Sequence, residues 1–239
     1  MKILQVTLWM YGTAVNRSWQ CVRRNWVVSF APFAYGFILS LAGQLAFPFG
    51  IVGGVIYGLV FQACFSSGLN LIRNMVESGK ANFNDFLNGF TVYLWELVGI
   101  AFILWIPMRV LGNALAGAPN GALIYFSIEI GLYVLLNAVP ELIYQSQVSG
   151  LDLIGASYNF IVENWLEWLI PNILLAIGGY FLIHLFGGMT LFLPAWLEIF
   201  FDSLFFGLCL VCFMTFRGFL FPQLYGSTRR ARIYRYDAR

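Results

Sequence analysis

The chain has little charge. Its 239 residues carry 13 Lys and Arg and 11 Asp and Glu, 10% in all, where soluble domains carry about 25%. It has one histidine, His184. That excludes a haem held by several histidines, and a metal site here would need carboxylates to complete it. It also leaves no credible Ser-His-Asp set. A phosphate-binding glycine loop, an H-E-x-x-H helix and a nucleophile elbow are all missing. The chain is therefore expected to be non-enzymatic, with no cofactor. The four cysteines, Cys21, Cys64, Cys209 and Cys212, avoid the short loops and make no disulfide framework. Cys209 and Cys212 have redox spacing but lie in the apolar run FFGLCLVCFMTF, where they read as small packing residues. Basic runs are absent from the body, which disfavours nucleic acid as a partner. The N-terminus lacks the continuous apolar stretch of a signal peptide.

What is present is hydrophobic. Apolar residues make up 60%, with 24 Phe and 8 Trp. One soluble core of this size could not hide so much apolar surface, but a lipid bilayer could. About 20 helical residues cross its hydrocarbon, and runs of that length predict six spans near 26–46, 50–70, 92–114, 121–143, 165–187 and 191–216. The expected fold is all-α and polytopic. An amphipathic segment over 1–25 precedes a six-helix body over 26–216, and a basic tail covers 217–239.

The connections alternate in character. Those at Phe47–Gly50, Gly112–Gly121 and Phe186–Leu193 are short and hold no Lys or Arg. Of the 13 basic residues, 12 fall on the other side: Lys2, Arg17, Arg23, Arg24, Arg73, Lys80, Arg217 and the tail arginines 229, 230, 232, 235 and 239. By the positive-inside bias that side is cytoplasmic. Both termini are expected there, in a bacterial cytoplasmic membrane, with the tail against anionic headgroups.

Three stretches are amphipathic at helical spacing: Leu4, Leu8, Tyr11, Val15; Phe83, Phe86, Leu87, Phe90; and Leu151, Ile154, Tyr158, Ile161. They predict helices lying in the membrane interface. An internal repeat connects them. Asn25-Trp26 precedes Pro32 as Asn164-Trp165 precedes Pro171, seven residues apart in both; Ser78-Gly79 matches Ser149-Gly150, and Glu96 matches Glu167. Units starting near Gly12, Gly79 and Gly150 would each hold an interfacial helix, a rising span and a returning span. Arg23-Arg24-Asn25-Trp26 entering a span after an amphipathic stretch resembles a loose group of six-span bacterial membrane proteins. Among these are proteins similar to the membrane domain attached to some glycerophosphodiester phosphodiesterases. The resemblance implies a six-helix body and assigns no chemistry.

A few polar or small positions stand out within the spans. Gly50, Gly54 and Gly58 are four apart and predict close helix packing, against the first span or in a homo-oligomer. Glu129 lies roughly 12 Å along its helix from the preceding turn, at 1.5 Å per residue. Its expected partner is Arg109 in the span before, since an unpaired carboxylate is costly in hydrocarbon. Glu198 and Asp202 share a face at i and i+4. With Glu129, Asn172 and His184 they could line an outward polar pocket for a cation, a proton or a headgroup. Two functions stay open. One is an accessory or scaffold subunit, whose partners are the bilayer, other membrane subunits or a second copy. The other is a small transporter or lipid-handling permease using the buried acids.

Overall fold

A computed structural model describes residues 2–146 and 148–238; Arg239 of the tail lies outside the described residues. These residues form ten α-helices: α1 Lys2–Arg24, α2 Ala31–Ala46, α3 Gly50–Ser78, α4 Phe83–Val92, α5 Leu94–Leu115, α6 Gly121–Leu135, α7 Val139–Gln145, α8 Asp152–Thr190, α9 Ala195–Leu224 and α10 Arg229–Asp237. Five helical stretches are long and apolar enough to cross a membrane: Trp26–Ser78, Leu94–Leu115, Gly121–Gln145, Asp152–Thr190 and Ala195–Leu224. The chain is thus an all-helical integral membrane protein by its helices.

The first stretch folds back on itself. Gly50 adopts φ +56° at the bend, a conformation that favours glycine. Gly53 lies so close to the Ala46 carbonyl that no side chain fits, and the Tyr35 hydroxyl donates to Ser67 Oγ at 2.9 Å across the hairpin. α5 with α6 and α8 with α9 form two further hairpins, marked by the Gly112–Tyr125 contact and the stacked Phe186–Phe205 rings.

The rising helices break at three places with one backbone geometry: Asn25 (φ −119°, ψ 31°), Tyr93 (φ −118°, ψ 11°) and Asn164 (φ −126°, ψ 19°). Each returning stretch ends at a left-handed glycine, Gly79, Gly150 or Gly226, after which a helix begins. Gly79 caps α3 directly, a position where glycine avoids the Cβ clash; Gly150 and Gly226 stand in the turns that follow α7 and α9.

The core gathers at one end, called here the basic end. Met10, Leu69, Met75, Leu142, Leu153, Trp168, Leu220 and Phe221 are all buried there. The opposite, turn end holds the three tight connections and buries almost nothing. α6 has only Gly121 buried, and α5 only Leu97 and Ile100.

On α1 the apolar stripe Leu4, Leu8, Val15 is exposed, with Tyr11 of the same stripe half-buried. The helix's buried face is Val6, Met10, Ala14, Ser18 and Cys21, where small side chains let α1 approach α9 closely. The third stripe is split: Leu151 and Tyr158 are exposed, while Ile161 is buried with Leu153, Ser157 and Phe160. α4 packs lengthwise on α3 instead of lying free: Ser66, Ser67 and Asn70 donate to the carbonyls of Gly89, Phe86 and Asp85 at 2.6, 2.7 and 2.9 Å. Gly50, Gly54 and Gly58 are exposed and touch no neighbouring helix. The close approaches use Gly53, Gly89, Gly207 and Gly218. The tail boundary also moves, because α9 runs unbroken through Arg217 to Leu224.

Candidate functional site

Helix α9 runs through Arg217 because that arginine is not a tail residue. It points into the basic end and meets Glu141, which is fully buried. Nε donates to Glu141 Oε1 at 2.8 Å and Nη2 to Oε2 at 2.7 Å. This is the two-pronged geometry that a planar guanidinium offers a carboxylate. Nη2 also donates to the Asn137 carbonyl at 2.5 Å. The guanidinium lies 5.2 Å from the Trp168 ring centroid and 5.5 Å from that of Phe213. Trp168 Nε1 in turn donates to Asn137 Oδ1 at 2.9 Å.

This cluster forms where the chain between α6 and α7 leaves the helical path over 136–138. A break frees backbone groups that lipid cannot satisfy. Here Ser157 Oγ donates to the Leu135 carbonyl at 2.8 Å and Arg217 takes that of Asn137. Two helix prolines are answered in the same way. Pro171 lacks the N–H that would bond the Glu167 carbonyl, and Tyr11 from α1 donates there at 3.0 Å. Pro222 leaves the Gly218 carbonyl free, and Gln145 Nε2 fills it at 2.9 Å.

A second ionic layer joins α8 to the C-terminal helix. Glu167 accepts from Arg229 Nε at 2.8 Å, and Arg232 stands 3.7 Å away. Arg232 Nη2 donates to Asn164 Oδ1 at 2.6 Å and to the Ser227 carbonyl at 2.9 Å. Burial draws the Arg232 guanidinium below its usual value, while the Glu167 carboxylate pulls it back up. Burial likewise pushes the Tyr11 phenol up to about 12, assisted by the nearby charge of Glu167. Asn25 repeats the role of Asn164 at the first break. Its Nδ2 donates to the Gly79 carbonyl at 3.0 Å, and its Oδ1 accepts from the Ala81 amide at 3.0 Å. In both cases a break asparagine fastens the segment that follows a left-handed glycine.

The residues expected to form an outward pocket are dispersed. Glu129 and His184 are exposed, with His184 edge-on to Tyr180 at 4.3 Å. Glu198 is half-buried. Asp202 accepts from Thr190 Oγ1 at 2.7 Å within its own hairpin. Asn172 is buried one turn beyond Trp168; its Nδ2 donates to the Trp168 carbonyl at 2.8 Å, and its Oδ1 has no partner. No ion pair joins Arg109 to Glu129 among the described residues, and both side chains stay exposed at the turn end. Cys209 and Cys212 are free thiols. Among the described residues no three His, Cys, Asp or Glu side chains converge on a metal position.

The sequence reading missed the Glu141–Arg217 clasp because Arg217 was counted with the tail. The usable signal was Asn137 and Glu141 at i and i+4, a polar face requiring a cation from another helix. No known protein family matches the chain, and neither a curated protein nor a solved structure does.

Proposed function

We propose that the protein is a non-enzymatic membrane subunit of six spans, with both termini cytoplasmic, that assembles laterally through its α5–α6 hairpin. Three pseudo-repeated helix pairs build it. The three alike breaks and the left-handed glycines after each returning stretch support that repeat. The excess of arginine and lysine at the basic end supports the orientation.

One observation carries the assembly reading. The α5–α6 hairpin buries only Leu97, Ile100 and Gly121; beyond Glu96 at its basic-end start it bears one cation and one anion, Arg109 and Glu129, neither paired among the described residues. Gly112 packing on Tyr125 sets those two charges within about one residue's rise of the same level. A surface with opposite charges side by side is self-complementary: in a two-fold dimer each arginine meets the other copy's glutamate. The dispersal of Glu129, Asn172, His184, Glu198 and Asp202 favours a subunit over a carrier.

The test is a photo-crosslinker at Phe126 in lipid nanodiscs. Chain-to-chain adducts are expected. They should fall with Arg109→Glu or Glu129→Arg alone and return in the double exchange. A protein that stays monomeric without adducts, or single variants that crosslink as the parent does, would overturn the reading.

A further inference from the structure

The arginines of α1 have no acid to answer them. Arg17, Arg23 and Arg24 are exposed and make no hydrogen bond or ion pair with another described side chain. They surround a recess of about 740 Å³ floored by Cys21, Met75 and Gly79. That falls within the roughly 300–1,000 Å³ of small-molecule sites. Arg24 also lines a second cavity of about 350 Å³, whose walls turn apolar at Val27, Phe30, Ala34, Phe83 and Phe86. A third, wholly apolar crevice of about 200 Å³ continues from it through Val28, Ala31 and Leu71 toward Tyr35 and Phe61. No carboxylate lines any of the three. The acids next in sequence to the cavity walls are engaged: Glu77 holds Arg73 at 2.9 Å, and Asp85 caps its own helix by accepting from the Asn82 amide at 2.7 Å.

The order of residues locates the membrane boundary. Arg23 and Arg24 come first, then Trp26, 59% exposed, then the exposed Val27. Arginine, tryptophan and aliphatic residue in succession match water, headgroup and hydrocarbon. α1 is built for the same boundary: Leu4, Leu8 and Trp19 stand outward on one side, and Asn16, Arg17 and Gln20 on another. A cationic cup and a greasy slot that share Arg24 as a wall, at this level, fit one chemistry, an anionic headgroup with an acyl chain attached.

We infer that this crevice holds one anionic phospholipid, its phosphate against Arg17, Arg23 and Arg24 and an acyl chain along Val27, Phe30 and Ala34. The bound lipid would wedge α1 against α3 and α4 beside the Asn25 clamp. Basic pockets between spans take anionic headgroups in this way.

Native mass spectrometry of the full chain, titrated with phosphatidylglycerol or phosphatidylcholine, tests it. One phosphatidylglycerol should bind at least about tenfold more tightly than phosphatidylcholine. The triple exchange Arg17→Gln, Arg23→Gln, Arg24→Gln should abolish that preference, and the triple exchange to lysine should largely keep it. Ala34→Phe, which fills the slot, should weaken both lipids alike. Equal binding of the two lipids, a glutamine variant that still prefers phosphatidylglycerol, or unchanged binding by Ala34→Phe would overturn the inference. Displacement of the lipid by millimolar inorganic phosphate alone would assign the cup to a free anion and overturn it too.

Discussion

Between Gly207 and Leu224, α9 buries nine residues at the basic end; α6, at the turn end, buries one of fifteen. Both helices are about equally greasy, so hydrophobicity does not distinguish them. Lipid tails attract apolar side chains as well as another helix does, and helices in a bilayer lock through close backbone approach and hydrogen bonds. The basic end has both. Gly207 meets the Ser29 carbonyl, Gly218 meets Val76 and Tyr144, and polar side chains from other helices fill the carbonyls freed at the α6–α7 break and by Pro171 and Pro222. The turn end has hairpin turns, ring contacts and the Thr190–Asp202 bond. A membrane protein can thus hold a fixed body at one boundary while its far half stays free to meet lipid or a second chain.

The sharpest way to break this contrast is to remove one half of the clasp. Arg217→Met strands Glu141 in the core and should lose about 3–5 kcal/mol of stability, read as a fall in melting temperature in mild detergent. Adding Glu141→Leu should return part of it, because the stranded charge is gone. Glu129→Gln at the turn end should stay within about 0.5 kcal/mol.

Most of the fold was legible in the sequence. The all-α membrane class came from the length of the apolar runs, whereas the helix breaks at Asn25, Tyr93 and Asn164 were not anticipated. The packing faces were not legible, for a physical reason. Helical spacing marks the stripe Leu4, Leu8, Val15 on α1, but in a bilayer the greasiest stripe can face lipid, and α1 uses Ala14, Ser18 and Cys21 to touch the protein. Arg217 was assigned to the tail because charge usually marks the end of a span. Only the three-dimensional meeting with Glu141, 76 residues away, reveals it as an internal tie. The set Glu129, Asn172, His184, Glu198 and Asp202 was grouped by helix position alone, and rotation about the helix axes separates it.

Glycine substitutions sharpen the same comparison with a smaller effect. Gly207→Leu must displace the Ser29 backbone and should cost about 1–3 kcal/mol as an overpacked contact. Gly58→Leu, which meets open space, should leave the melting temperature of the isolated chain unchanged. Next comes the Asn25 clamp. Asn25→Ala leaves the Ala81 amide and Gly79 carbonyl unsatisfied and should cost about 1–2 kcal/mol, with faster proteolysis at residues 79–82 as the local readout.

The smallest expected loss at the basic end is at Tyr11. Its bond to the Glu167 carbonyl should contribute about 1 kcal/mol, so Tyr11→Phe should be mildly destabilising. Pro171→Ala should erase that penalty by restoring the helix N–H. The phenol also gives a pH signature. Its folded value is raised to about 12 from 10.0, so its contribution is complete below pH 10 and declines as pH rises toward 12. Alkaline unfolding curves of Tyr11→Phe should show a shallower decline than the parent's over that window.

The contrast between the two ends is tested most directly by spin-label distances in lipid nanodiscs, in a cysteine-free background. One pair, Asn16 with Leu151, reports the basic end; another, Phe47 with Leu123, reports the turn end. The account predicts a single narrow distance for the first pair and a broad distribution for the second. Equally narrow distributions at both ends, or a broad one at the basic end, would contradict it.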